Sequence, residues 1–386
     1  MSWSTVRADQ FCTLITDGTH DSPKPQQSGW KLITSKHLKG HYIDFDSANW
    51  ISEADYLKVI SRSAVEQWDI LFSMIGTIGN IYLEKNSHVE YACKNMGIFK
   101  FSGNKENALW MYYYLKSPQA KAYIQTHLRG STQAYVPLGG LREMPVPVPP
   151  QSVRNEIIAV LRPIDEKIEC NNAINDNLQQ QADALFSSLY DRSNTEVRFT
   201  DLIQILGGGT PKTGENTYWN GNIAFFTPKD VGTPYTLITE KTISKEGLSH
   251  CNSRLYPVNT VFVTARGTVG KVGMSGVPMA MNQSCYALVG KETHQLLVYF
   301  YTLKAVDRLK HKASGAVFDA ITTRDFESEQ IMKLSDDDAT AFLRVAEPMF
   351  QEVLNNNIEN LRLSTLRDSL LPKLMSGEID VSAVQL

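Results

Sequence analysis

Two stretches of this chain, 185 positions apart, carry the same seam of apolar and polar positions. Ile164, Ile168, Asn171, Asn175, Leu178, Ala182, Leu185 and Leu189 step alternately by four and three; Met349, Val353, Asn356, Asn360, Leu363, Arg367, Leu370 and Leu374 repeat the steps. This is the a/d rhythm of a coiled coil. Asparagine occupies the same two steps in both copies, which amphipathicity alone does not require, so the pattern reads as one duplicated helix. Ala182 stands where the second copy has Arg367, so the copies are related but not identical. If the helices run antiparallel within one chain, their asparagines can bond to one another. Off the seam, Leu354, Ile358, Leu361 and Leu366 form a second stripe, suited to the base of a domain or to a partner subunit.

The repeat extends beyond the helices. Gly76-Thr77-Ile78-Gly79 after Ile70-Leu71-Phe72 matches Gly267-Thr268-Val269-Gly270 after Val261-Phe262-Val263, a short strand running into a glycine turn. Upstream, Leu32-Ile33-Thr34-Ser35-Lys36 parallels Phe225-Phe226-Thr227-Pro228-Lys229; downstream, Asn95 parallels Asn282. Leu109 to Tyr123 predicts a helix interrupted near Pro118, with Gln295 to Lys312 as its counterpart. The prolines of Pro145-Val146-Pro147-Val148-Pro149-Pro150 predict a rigid extended boundary before the first arm. Pro163 and Pro348 are equivalent and predict a short helix, a bend and a long helix in each arm. The organisation is therefore α+β: mixed globular segments 1–148 and 193–334 alternate with helical arms 149–192 and 335–386 in a pseudo-two-fold repeat. A helix from 164 to 189 measures roughly 40 Å, close to one DNA turn of about 34–36 Å.

Charge sharpens this division. The globular segments carry net +2 and +3 and the arms −3 and −5, a split that the total of −3 conceals. The globular parts suit an anionic partner; the arms suit protein. No apolar run approaches a membrane span, and the N-terminal residues lack the layout of a signal peptide. Five scattered cysteines without a C-x-x-C fit a reduced cytoplasmic protein with neither disulfides nor zinc.

Candidate chemistry is sparse. Asp165-Glu166-Lys167 fits the end of a nuclease motif but lies on the seam helix without an upstream Pro-Asp, and reads as a solvated face. Val148-Pro149-Pro150-Gln151 lacks both the leading polar residue and the aromatic of an amino-methyltransferase loop. Gly207-Gly208-Gly209-Thr210-Pro211-Lys212-Thr213-Gly214 does not have nucleotide-loop spacing, and the eight histidines show no metal-ligand spacing. No catalytic or metal residues are expected. The competing reading is a stand-alone methyltransferase or nuclease with degenerate motifs. Glycine-rich loops instead offer phosphate- and base-contacting groups: Thr19, His20, Lys36 and Gln133 in the first copy, and Lys212, Thr227, Lys229, Arg266, Gln283 and Arg324 in the second. Arg266 and Gln283 carry the forks that read guanine and adenine edges.

The globular–helix–globular–helix order, Val146-Pro147-Val148-Pro149-Pro150-Gln151 followed by Ile157, the Gly-Gly-Gly-Thr-Pro of the second segment and the ending Leu366-Arg367-Asp368-Ser369-Leu370-Leu371-Pro372-Lys373-Leu374-Met375-Ser376-Gly377-Glu378-Ile379 carry a resemblance. With them the chain resembles the specificity subunit of type I restriction-modification systems. One departure is the second arm, which opens Leu334-Ser335-Asp336-Asp337-Asp338. The resemblance implies two target-recognition domains, each reading half of a split double-stranded DNA site, and arms that form an antiparallel intramolecular coiled coil. It implies a non-catalytic chain without its own cofactor. Two modification subunits carrying S-adenosylmethionine would methylate adenine, and two restriction subunits using ATP and Mg would cleave unmodified DNA.

Overall fold

A duplicated sequence should fold twice, and it does. The computed structural model describes residues 3–40, 42–232, 234–312 and 320–381. The chain divides into two compact units, Met1–Glu169 with Leu363–Leu386, and Cys170–Arg362.

In the first unit, Ser4–Arg7 pairs antiparallel with Pro145–Val148, Ser4 opposite Val148 and Arg7 opposite Pro145. The proline-rich segment is thus extended, as its φ constraint requires, but it is a paired strand rather than a free boundary. A two-stranded ribbon tolerates proline because one edge of each strand needs no ladder partner. Trp110 donates its indole N–H to the Pro147 carbonyl at 2.8 Å, and the Tyr114 hydroxyl donates to the Pro145 carbonyl. An antiparallel sheet orders Leu14–Asp17, Met96–Lys100, Ile70–Ser73 and Ile81–Leu83. A second sheet orders Asn49–Ile51, Trp30–Ile33 and Tyr91–Cys93, the last two parallel. The expected helix break is present: Lys105–Lys116 ends before Pro118–Thr126, where the Ser117 hydroxyl accepts the Ala120 N–H at 3.3 Å.

The second unit repeats this plan. Thr195–Arg198 pairs with Gln330–Lys333. The larger sheet orders Ile203–Gly207, Cys285–Gly290, Val261–Thr264, Val272–Ser275 and Tyr235–Thr236. The smaller orders Lys241–Ile243, Trp219–Phe226 and Met279–Met281, again with the last two parallel. Gln295–Lys312 forms one helix. The strand ladders adjust the alignment of the copies, because Ser73 lies opposite Met96 and Thr264 opposite Cys285. Asn95 is therefore equivalent to Ser284 rather than Asn282.

Two helices of 41 residues, Gln151–Asp191 and Asp336–Ser376, form the arms. Each runs as one helix through its proline, so the short separate helix expected before the long one is absent. Pro163 and Pro348 lie inside continuous helix and are exposed, so the backbone carbonyl that each leaves unpaired is on the watery side. The second arm begins on a capped turn: the Ser335 hydroxyl accepts the Asp338 N–H at 3.1 Å, and Asp336, Asp337 and Asp338 complement the positive helix end.

The helices meet through amides. In the second unit, Asn171 donates to Asn360 Oδ1 at 2.9 Å and to Glu359 at 2.7 Å; Asn356 donates to Asn175 Oδ1 at 3.0 Å. Numbers rise on one helix as they fall on the other, so the pair is antiparallel. Two further amides complete the ladder, Asn175 donating to Asn357 at 3.0 Å and Asn360 to Asn172 at 2.9 Å. Ile164, Ile168, Leu178, Leu185, Met349, Leu363 and Leu370 are half-buried, whereas Leu189, Val353 and Leu374 are buried. The buried band is wider than a two-position seam, because Phe186, Tyr190, Phe342, Phe350 and Leu354 also feed the core of the second unit. Phe186 stacks on Phe300 with ring centroids 4.9 Å apart. Of the off-seam stripe, Leu354 and Ile358 pack into this core, while Leu366 is exposed.

Asp165 departs from the sequence reading. It is buried, not solvated, while Glu166 and Lys167 beside it are exposed. In the first unit it takes Arg367 at 2.7 Å and Lys116 at 3.1 Å. Burial alone would raise its carboxyl pKa; Lys116 and Arg367 outweigh that and hold it below the ordinary range. The equivalent positions, Phe350 for Asp165 and Ala182 for Arg367, are apolar and buried in the second unit's core. Arg367→Ala is expected to cost about 3 kcal/mol in chemical denaturation, because it strips a buried carboxylate of one partner. Leucine at both 165 and 367 should recover most of that loss. The depressed carboxyl contributes stability that is complete above its unfolded value of about 3.9 and is lost as pH falls through the folded one. Denaturation midpoints in Asp165→Asn should therefore show a weaker acid slope than wild type.

Candidate nucleic-acid interface

Each unit gathers loops at one end of its sheets. In the first, the strands Leu14–Asp17, Trp30–Ile33, Ile70–Ser73 and Tyr91–Cys93 all terminate there, and Met96–Lys100 begins there. The turn after Ile70–Ser73 needs left-handed backbone at Gly76 (φ 77°) and Gly79 (φ 88°). The Gly79 N–H donates to the Ser73 carbonyl at 3.1 Å, and the Thr77 hydroxyl to the Ser35 carbonyl at 3.1 Å, which fixes the segment bearing Lys36. Ile75 bridges to Tyr135, at the end of the loop carrying Gln133. Lys36 and Gln133 are exposed, and their side chains make no hydrogen bond or ion pair among the described residues. Thr19 is buried; its N–H donates to the Cys93 carbonyl and its hydroxyl accepts the Asp21 N–H at 3.1 Å, so it shapes the loop rather than facing outward. His20 is exposed, with Nδ1 2.8 Å from Asn95 Oδ1 and Nε2 2.9 Å from Asp17 Oδ2.

The second unit builds the same end from different side chains. Gly267 (φ 84°) and Gly270 (φ 73°) turn the chain after Val261–Thr264. The Gly270 N–H donates to the Thr264 carbonyl at 2.9 Å and the Thr268 hydroxyl to the Pro228 carbonyl at 3.1 Å, placing Thr227 and Lys229 beside the turn. Thr227 points its hydroxyl at Asp230 Oδ2 (2.6 Å), and Lys229 lies 3.5 Å from Glu240. Arg266 is exposed, its N–H directed at the Ser284 carbonyl (3.3 Å) beside Gln283, and its backbone bridges Ala320. Arg324 is exposed on the short helix Thr323–Ser328 that follows. The Thr210 hydroxyl donates to the exposed Gln283 carboxamide. Lys212 is exposed, and its carbonyl accepts the Trp219 indole N–H at 3.1 Å.

The candidates therefore separate by where their polar atoms go. Among the described residues, Lys36, Gln133, Lys212, Arg266 and Arg324 present unpaired heads; Lys229 faces Glu240; His20 and Gln283 are exposed but tethered; Thr19 and Thr227 are spent within their own loops, on the Asp21 N–H and the Asp230 carboxylate. Sequence reasoning missed Arg62, which donates to the Gly18 carbonyl at 2.9 Å and joins the helix Glu53–Ser63 to the cluster. It stands in the last turn of that helix, where a basic residue reads as a complement to the negative helix end rather than as part of a loop cluster. Among the described residues no group of three or more His, Cys, Asp or Glu could hold a metal ion, and no helix is long and apolar enough to cross a membrane.

Two stretches of the chain, residues 3–180 and 192–333, each match the family model described as the type I restriction modification DNA specificity domain. The chain belongs to that family. The specificity subunit of the type I restriction enzyme HindI from Haemophilus influenzae is 22% identical over 415 residues, spanning 85% of this chain and 90% of that protein. The EcoR124I/EcoR124II specificity subunit from Escherichia coli is 26% identical over 51% of each chain. The fold is similar to that of the type I restriction-modification S subunit from M. genitalium, with a TM-score of 0.57, 13% identity and coverage of 97% of this chain and 96% of that one.

The two specificity domains share one glycine that no other residue can replace without movement. A Cβ on Gly18 would lie 2.3 Å from the Cys93 carbonyl oxygen, and on Gly208 2.1 Å from that of Asn282. Gly18→Ala and Gly208→Ala are each expected to lower stability by about 1–3 kcal/mol in denaturant melts. Gly214→Ala, which meets open space, should leave the melt unchanged.

Proposed function

We propose that this chain reads a split double-stranded DNA sequence, residues 1–148 taking one half-site and residues 193–334 the other, while arms 149–192 and 335–386 act as the spacer. The observation that carries the reading is the duplication itself: each unit brings its exposed polar loops to the same strand ends, where free Lys, Arg and Gln heads can meet phosphates and base edges. The chain supplies recognition, and partner subunits supply chemistry. Two modification subunits with S-adenosylmethionine methylate adenine in the site, and two restriction subunits with ATP and Mg cleave DNA that lacks the mark. The complex works in the cytoplasm.

Physical reasoning supports the division. One unit reading a few base pairs binds weakly, but joining two makes the second contact intramolecular. Each mismatched base pair costs about 1–3 kcal/mol, so discrimination draws on both halves. Formal charge of −3 is compatible with partners supplying much of the phosphate contact.

Methylome sequencing of cells carrying this chain with its modification subunits tests the proposal: a bipartite adenine-methylated motif is expected, and absence of any such motif in an expressed, active system would sink it. The spacer role has its own test. A heptad inserted into both arms, after Ala173 and after Ile358, adds about 10 Å to each helix. The gap between half-sites should grow by about three base pairs with the half-site bases unchanged. The isolated chain should bind its site far more weakly than the assembled complex in physiological salt; equal affinity would mean that the partners contribute no phosphate contact.

A further inference from the structure

The duplication lets each unit act as the comparison for the other. Thr16 pairs with Ile98 and Leu206 with Ala287, so with Met96 equivalent to Cys285 the segment Asp17-Gly18-Thr19-His20 corresponds to Gly207-Gly208-Gly209-Thr210. At this junction the scaffold repeats. Gly18 and Gly208 press against the backbone carbonyls of Cys93 and Asn282, and Thr77 and Thr268 donate to the carbonyls of Ser35 and Pro228.

What differs is the side chain two residues beyond that glycine, together with the partner it finds. His20 reaches Asn95 at 2.8 Å; Thr210 reaches Gln283. Both contacts bridge the same gap, from the loop leaving the first strand of the larger sheet to the loop entering the strand that begins at Met96 or Cys285. A link needed only for folding would be met by one repeated pair. Here the gap that is bridged is kept while the residues crossing it change. The partner moves from Asn95, equivalent to Ser284, to the neighbouring Gln283, and His20 alone takes a second contact, at Asp17 (2.9 Å). That is the freedom that two readers of different base sequences require. His20, Thr210 and Gln283 are exposed, so these groups stand at the surface. Tethering a flexible side chain before binding also reduces the rotamer entropy lost on contact.

We propose that His20–Asn95 and Thr210–Gln283 are specificity-determining pairs, each reading one half-site. The inference rests on the DNA-reading function above. In the second pair the Thr210 hydroxyl engages the carboxamide oxygen of Gln283, leaving the amide N–H groups to donate to a purine acceptor in the major groove. Thr210 is thus a positioning residue and Gln283 the contact.

The test is methylome sequencing of cells carrying the full complex with single variants of this chain. Gln283→Ala is expected to reduce preference at one base pair of one half-site by about tenfold or more, leaving the spacer and the other half-site as in wild type. Asn95→Ala should broaden one base pair of the opposite half-site. Thr210→Val should broaden the same position as Gln283→Ala, and Thr210→Ser should restore the wild-type motif. An unchanged motif in both Gln283→Ala and Asn95→Ala overturns the inference, as does a uniform loss of methylation without broadening in complexes that assemble normally. If wild type itself methylates no bipartite motif, the DNA-reading function fails first, and the two failures are distinguishable.

Discussion

A buried side-chain amide must be met by another polar group, and this requirement governs how the two long helices pair. Leaving one such group unsatisfied costs about 1–3 kcal/mol, comparable to the packing gain of a whole apolar side chain. Asn171 and Asn175 are buried; the N–H groups of Asn171 and both ends of the Asn175 amide find their partners on the other helix, at Asn356, Asn357, Glu359 and Asn360, and only Asn171 Oδ1 is left without one among the described residues. A register slip of one helical turn would strand several amides at once. The apolar positions supply adhesion but little register, since leucine and isoleucine accept many neighbours. The amides supply the register.

From that register follows what each unit can present. The globular parts close around aromatic cores, and their strands end together, so that loops of very different sequence leave from matching points. The constant elements there are backbone ones: a threonine hydroxyl on a carbonyl and a glycine against a carbonyl. Such contacts hold a loop in place without constraining the side chains on it. The arrangement separates holding from reading, which lets one scaffold serve two targets.

The duplication, the helix break at Pro118 and the helix Gln295–Lys312 were legible in sequence because each rests on local periodicity or on proline's fixed geometry. The continuity through Pro163 was not, since a single missing hydrogen bond on an exposed helix face is outweighed by packing on both sides of it. Asp165 was misread for a related reason: charge on a helix predicts solvent until a partner comes from elsewhere, and Arg367 lies 202 positions away. Asn172 and Asn357 escaped notice because they sit one step off the seam and matter only once the partner helix is in place. At the loops, the sequence identified polar residues but could not sort Thr19 and Thr227, whose hydroxyls are spent within their own loops, from Lys36 and Arg266, whose heads face outward. Both hydroxyl partners lie within three residues, at Asp21 and Asp230, yet whether a side chain turns into its loop or out of it is decided by how the folded loop packs.

The ribbon of Ser4–Arg7 with Pro145–Val148, repeated by Thr195–Arg198 with Gln330–Lys333, has a consequence of its own. Each globular segment enters and leaves through two hydrogen-bonded neighbours, so everything between them is a loop closed at its neck. The cost of closing that loop grows only as the logarithm of its length. A segment of different size and sequence, carrying the same two neck strands, would meet the arms through an identical joint. Each globular segment thus carries its own clip, and what lies inside it is free to differ in length and sequence.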